Sequence, residues 1–148
     1  MATVPVIAKS LARPSVAHKR ILVVDDSEIA RKVVRSMLKA DHDADWDVVE
    51  AASGEEFLGV MGTQSVASED TFDAVILDVR MPGVGGLQAC QVLREVDQRV
   101  PILFLTADGS REGFRQGQQA GGDSYLTKPF SASALKAALH VLTSVKRR

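Results

Sequence analysis

Three aspartates close short apolar runs and could share one cation. Ile21-Leu22-Val23-Val24 leads into Asp25 and Asp26, and Ala74-Val75-Ile76-Leu77 leads into Asp78. Two further runs end on groups that suit an anion: Pro101–Leu105 on the hydroxyl of Thr106, and Ser124–Thr127 on Lys128, followed by Pro129. Crowded carboxylates repel, and at least one should hold its proton more tightly unless a cation is present. Hard oxygen donors of this kind suit Mg²⁺ (or Mn²⁺), which keeps several waters and leaves positions for phosphate oxygens. A lysine adds a point charge for a phosphoryl group and a threonine adds a donor. A carboxylate nucleophile beside these groups is a phosphoryl-transfer set. Taken singly, a strand-end Asp is usually a turn former or cap. Their joint order after successive apolar runs points to the shared chemistry.

The elements that must position them alternate along the chain. Ile21–Val24 reads as a strand buried on both faces. Ser27 can cap a helix with Ile29, Ala30, Val33, Val34, Met37 and Leu38 on one face. Beyond the acidic loop of Asp41, Asp43 and Asp45, Trp46–Val49 reads as a second strand, Gly54–Met61 as a short helix and 62–70 as a polar loop. Asp73–Asp78 is the third strand. The Met81–Gly86 loop then leads to a helix carrying Leu87, Cys90, Leu93 and Val96. The fourth strand is Pro101–Leu105. The helix predicted over Ser110–Ala120 contains Gly113 and Gly117, each costing about 0.5–1 kcal/mol relative to alanine. The fifth strand is Ser124–Thr127. A last helix starts near Ser131, presents Leu135, Leu139, Leu142 and Val145, and ends in Lys146-Arg147-Arg148. Repeated β-α units with apolar strands predict a parallel sheet covered on both faces through right-handed crossovers. Such sheets bind ligands beyond the carboxyl ends of their strands, where the winding reverses. The chemistry-bearing residues all fall at that edge.

Composition narrows the function classes. The 148 residues suffice for one domain, and 45% hydrophobic with 25% charged is ordinary for a globular chain. The net charge of −1 gives no general pull toward nucleic acid or anionic membrane. Residues 1–20 nevertheless carry Lys9, Arg13, Lys19 and Arg20 and no acid. Residues 1–19 are therefore expected to form a basic, disordered extension, and 20–148 the folded domain. That arm resembles a transit peptide in charge but lacks a sustained amphipathic period. Cys90 is the single cysteine, so no internal disulfide forms, and a reducing, cytoplasmic setting is expected. No apolar run approaches membrane-spanning length. His18, His42 and His140 have no zinc-ligand spacing. Cys90, Trp46 and the phenylalanines are read as core packing. No glycine loop has a nucleotide fingerprint.

Residues 20–148 resemble the receiver domain of two-component response regulators, and stand-alone chemotaxis regulators in particular. The motifs carrying the resemblance are Ile21-Leu22-Val23-Val24-Asp25-Asp26-Ser27, Val75-Ile76-Leu77-Asp78-Val79-Arg80-Met81-Pro82-Gly83, Leu105-Thr106-Ala107 and Tyr125-Leu126-Thr127-Lys128-Pro129-Phe130. The resemblance implies a flavodoxin-like (βα)5 fold, a doubly wound parallel sheet of strand order 2-1-3-4-5. It implies that Asp78 accepts a phosphoryl group from a histidine kinase or histidine phosphotransfer protein. Asp25, Asp26, Asp78 and the backbone carbonyl of Arg80 would hold the metal. Lys128, after a cis peptide to Pro129, would pair with the phosphoryl oxygens. Thr106 and Tyr125 would form the switch that alters the face of helix four, strand five and helix five. The partners implied are that phosphodonor and a downstream target protein, with no direct DNA or membrane contact and a monomer or weak phosphorylation-dependent dimer. The chain would be a phosphoacceptor, not an enzyme in its own right, although it catalyses its own phosphotransfer and a slow autodephosphorylation.

Two positions depart from the family's commonest pattern. Arg80 follows Asp78 by two residues and Asp108 follows Thr106 by two. Both are expected to tune acyl-phosphate hydrolysis, and a pair between them across the mouth would hinder water. Gly85 stands where many relatives have Asp, with little consequence expected. The alternatives are an unphosphorylated pseudo-receiver that serves for docking, a receiver fragment of a longer regulator, and an aspartate-based phosphatase. The last lacks an acid at Arg80 and room for a cap insertion.

Overall fold

The computed structural model describes residues 17–63 and 71–144. The basic arm up to residue 16, the stretch 64–70 expected as a polar loop, and Val145 with the basic tail expected to end the last helix lie outside the described residues. Five parallel strands, β1 (Ala17–Val24), β2 (Ala44–Ala51), β3 (Ala74–Asp78), β4 (Ile102–Thr106) and β5 (Ser124–Thr127), lie in the order β2-β1-β3-β4-β5. They alternate with α1 (Glu28–Lys39), α2 (Gly54–Gly62), α3 (Gly86–Arg94), α4 (Arg111–Ala120) and α5 (Ala132–Ser144). This is the flavodoxin-like doubly wound sheet. Successive strand residues point to opposite faces. Leu22, Val24, Val75, Leu77, Ile102 and Phe104 therefore pack with α2, α3 and α4 residues such as Phe57, Cys90 and Leu93. Ile21, Val23, Ile76, Leu103 and Leu105 pack with Val34 and Leu38 of α1 and Leu135 and Leu139 of α5. No helix among the described residues is long and apolar enough to cross a membrane.

The structure corrects several boundaries and faces. β1 begins at Ala17, so Ala17, His18 and Lys19 belong to the sheet rather than to the extension expected over 1–19. Their pairing is with β2 alone, Ala17 opposite Ala44 and Lys19 opposite Trp46, whereas β3 joins only from Ile21. On α1 the buried residues are Val34 and Leu38, while Ile29 and Val33 are 75% and 45% exposed. Val96 lies beyond the end of α3 and is 86% exposed. Cys90 is buried, as expected, and so are Phe57, Phe72 and Phe104, but Phe114 is 44% exposed.

A polar knot closes the amino end of the sheet. The Asp41 carboxylate accepts the Trp46 indole N–H at 2.8 Å and the Asp43 N–H at 3.0 Å, and lies 2.8 Å from His140 Nε2 on α5. Burial opposes its charge, yet these partners together hold its carboxyl down to about 2.

Candidate functional site

At the carboxyl edge each residue is fixed by the element it ends. Asp25 continues β1, and its N–H donates to Ala51 O of β2 at 3.1 Å. Its Oδ1 accepts the Ser27 N–H at 2.9 Å, while the Ser27 hydroxyl caps α1 by accepting from Ala30. Asp78 is the last residue of β3 and is buried. Glycine is required at 86, because the helix start lies directly against the Asp78 carbonyl and a Cβ there would collide with it. The intervening loop turns at Gly83, whose φ of +76° favours glycine. Glu55, in the first turn of α2, ties that loop down by accepting the Val84 N–H at 2.7 Å. Gly85 is the N-cap of α3 and supplies no side-chain cap.

The edge brings the acids together. Asp25, Asp26 and Asp78 each place a carboxylate oxygen within 4.8 Å of the others. Lys128 Nζ donates to Asp78 Oδ1 at 3.1 Å and to Asp25 Oδ2 at 3.4 Å. The Lys128–Pro129 peptide is cis, and the Lys128 N–H donates to Thr106 O at 2.7 Å. Burial and the charge of Asp25 raise the Asp78 pKa above the ordinary carboxylate value, against the pull of Lys128. Burial works to lower the Lys128 pKa, but Asp78 and Asp25 outweigh it and raise it. One ammonium bonds Asp25 and Asp78 and does not reach Asp26, so the ionised cluster keeps an excess of two negative charges. That excess equals the charge of one hard divalent cation, and the all-oxygen donor set fits Mg²⁺.

The flanking residues are also placed. Thr106 is 2% exposed, and its Oγ1 accepts the Asp108 N–H at 3.0 Å. Tyr125 is half-buried, with its ring 4.5 Å from that of Phe114 on α4 and 6.2 Å from that of Phe104. A Cβ on Gly117 would lie 2.6 Å from the Tyr125 ring, so this glycine makes room for the aromatic. Gly113 similarly adjoins the Asp108 carboxylate, at 3.0 Å from a Cβ placed there. Arg80 and Asp108 do not make the direct ion pair suggested from sequence. Asp108 turns instead to accept the Ser110 N–H at 2.9 Å. The Ser110 hydroxyl and then its N–H, with a smaller contribution from the charge of Arg80, lower its pKa.

A doubly wound α/β domain that gathers three acids and a lysine at the carboxyl edge of its sheet defines the class: a flavodoxin-like domain with an acidic edge site. The chain belongs to the response regulator receiver domain family, whose sequence pattern matches residues 21–140. It is 37% identical over 131 residues to the uncharacterized transcriptional regulatory protein YrkP of Bacillus subtilis, covering 88% of this chain and 51% of that protein. The chain thus spans about half the length of the curated relatives it matches. The chemotaxis protein CheY4 of Vibrio cholerae superposes with a TM-score of 0.72 at 32% identity, over 86% of this chain and 99% of that one. The receiver domain of sensor histidine kinase PA1611 from Pseudomonas aeruginosa, solved with a magnesium ion in its active-site cleft, gives 0.75 at 28% identity, over 87% and 100%.

Proposed function

We propose that Asp78 accepts a phosphoryl group from the phosphohistidine of a histidine kinase or phosphotransfer protein. The observation that carries this reading is the acid cluster served by a single lysine at the switch point of the sheet. An Asp78 carboxylate oxygen attacks phosphorus, the P–O bond forms and the P–N bond breaks. The imidazole leaves with the electron pair and takes up a proton. Lys128, already bonded to Asp78, follows the phosphoryl oxygens and offsets their charge. Asp25, Asp26, Asp78 and the Arg80 backbone carbonyl would hold Mg²⁺, which supplies Lewis-acid neutralisation of the transferring group. Thr106 then exchanges its Asp108 N–H for a bond donated to a phosphoryl oxygen. Tyr125 moves into the space released, which alters the α4, β5 and α5 face read by a target protein. Arg80 and Asp108 set how readily water reaches the acyl phosphate. This donor chemistry implies a cytoplasmic site of action.

Because its curated relatives are about twice as long and include transcriptional regulators, we also read the chain as the receiver portion of such an architecture. Intact mass after incubation with a small acyl-phosphate donor and Mg²⁺ tests the phosphoacceptor. One added phosphoryl mass is expected in the wild type and none in Asp78→Asn. No gain in the wild type, or an equal gain in the variant, would sink the reading.

A further inference from the structure

We propose that Arg31 is a positioning residue for the metal end of the site, an inference that rests on the Mg²⁺ reading above. Its guanidinium Nη1 donates to the main-chain carbonyl of Asp25 at 2.6 Å, and its Nε donates to Glu50 Oε1 on β2 at 2.9 Å. The side chain is only 14% exposed, so both bonds lie where water competes poorly. The peptide unit is planar. Fixing the Asp25 oxygen therefore fixes the plane that carries the chain into Asp26, whose carboxylate accepts no hydrogen bond from another described residue. Asp25 itself is held at its N–H by Ala51, at Oδ1 by Ser27 and at Oδ2 by Lys128. Arg31 completes that set from behind.

A cation beside a pocket meant for a dication would be self-defeating unless its charge were offset. Glu50 does this. Its Oε2 accepts from Arg35 at 2.7 Å while its Oε1 faces Arg31, and these arginines, Arg35 foremost, lower its pKa so that it stays ionised. Arg35 touches the same carboxylate and the Val48 carbonyl but not Asp25. Nature thus supplies an internal control.

Geometry and charge predict opposite signs. Removing a nearby cation should tighten Mg²⁺ binding by Coulomb's law. Loosening the Asp25–Asp26 peptide should weaken it, by about tenfold on the scale of outer-shell changes at metal sites. The test is calorimetric titration of Mg²⁺ into the full chain without any phosphodonor, with a melting curve for each variant. Arg31→Ala should raise the Mg²⁺ Kd about tenfold. Arg31→Lys, which keeps the charge but cannot span Glu50 and Asp25, should raise it several-fold. Arg35→Ala should lose melting temperature yet keep its Kd within about twofold of wild type. Arg31→Lys covers the case in which the alanine variant does not fold. Wild-type affinity in both Arg31 variants, tighter binding in Arg31→Ala, or equal weakening in Arg35→Ala would overturn the proposal. Wild-type protein that takes up no Mg²⁺ would overturn the metal reading beneath it.

Discussion

Asp78→Asn should make the metal-free protein more stable while abolishing its function. Asp25 and Asp26 each present an oxygen within 4.8 Å of Asp78. At an effective dielectric of about 20, each repulsion is about 3.5 kcal/mol. Lys128, at 3.1 Å, returns about 5 kcal/mol on the same scale. The balance is about 2 kcal/mol against the charged side chain before its burial is counted. Neutralising it should lift the melting temperature in EDTA at pH 7 by about 6 °C for a domain of this size. The pH dependence follows from the raised pKa of Asp78. A carboxyl that holds its proton more tightly in the folded chain favours folding at low pH. It loses that contribution as pH rises through the folded pKa. The gap between variant and wild type should therefore open upward from about pH 4 and be complete above the folded pKa. Added Mg²⁺ should stabilise the wild type more than the variant, since it binds the native state alone. Scanning calorimetry in EDTA reads the first two effects, and the same scans with Mg²⁺ in place of EDTA read the third. A variant that melts below the wild type at pH 7, or a gap that widens as pH falls, would refute the reasoning.

Three further outcomes are expected. Gly117→Ala should displace the Tyr125 ring, since its new methyl would lie 2.6 Å from Cε2. Unshifted tyrosine ring resonances would count against the seat. Arg80→Ala and Asp108→Ala should change the acyl-phosphate lifetime, and equal lifetimes in both and in the wild type would remove them as tuning residues. α4, with Gly113 and Gly117 in its interior, should exchange its amide hydrogens faster than α5. Equal protection with and without a phosphoryl mimic would dispose of that.

The sequence showed the strands best where the sheet is buried on both faces. β3 and β4, buried along their whole length, fall within one residue of the predicted Asp73–Asp78 and Pro101–Leu105. It showed least at the β2 edge, where Asp45, Asp47 and Glu50 alternate with apolar residues and hid the ends of a strand running from Ala44 to Ala51. The opening residues of β1 were missed for the same reason, because Ala17–Lys19 pair only with that edge. In the site, residues that bear chemistry stand out by type, and the fold gathers Asp25, Asp26, Asp78 and Lys128. Arg31 and Glu55 were invisible because they act on main-chain atoms, which leave no pattern of side-chain types. Gly113 and Gly117 read as weaknesses of a helix until the structure showed what occupies the space beside them.

The knot of Asp41, Trp46 and His140 has a practical consequence for anyone watching this protein by light. Trp46 is the single tryptophan and Tyr125 the single tyrosine, and they stand in different regions of the fold. The indole is pinned at the amino end of β2, away from the acidic edge, with its N–H on Asp41 and its ring 5.3 Å from that of His140. Its emission should follow unfolding and the anchoring of α5, and stay flat while metal is titrated. If Tyr125 moves as proposed, its near-ultraviolet dichroism should change on phosphorylation. One chain thus carries a built-in reference channel and a built-in signal channel.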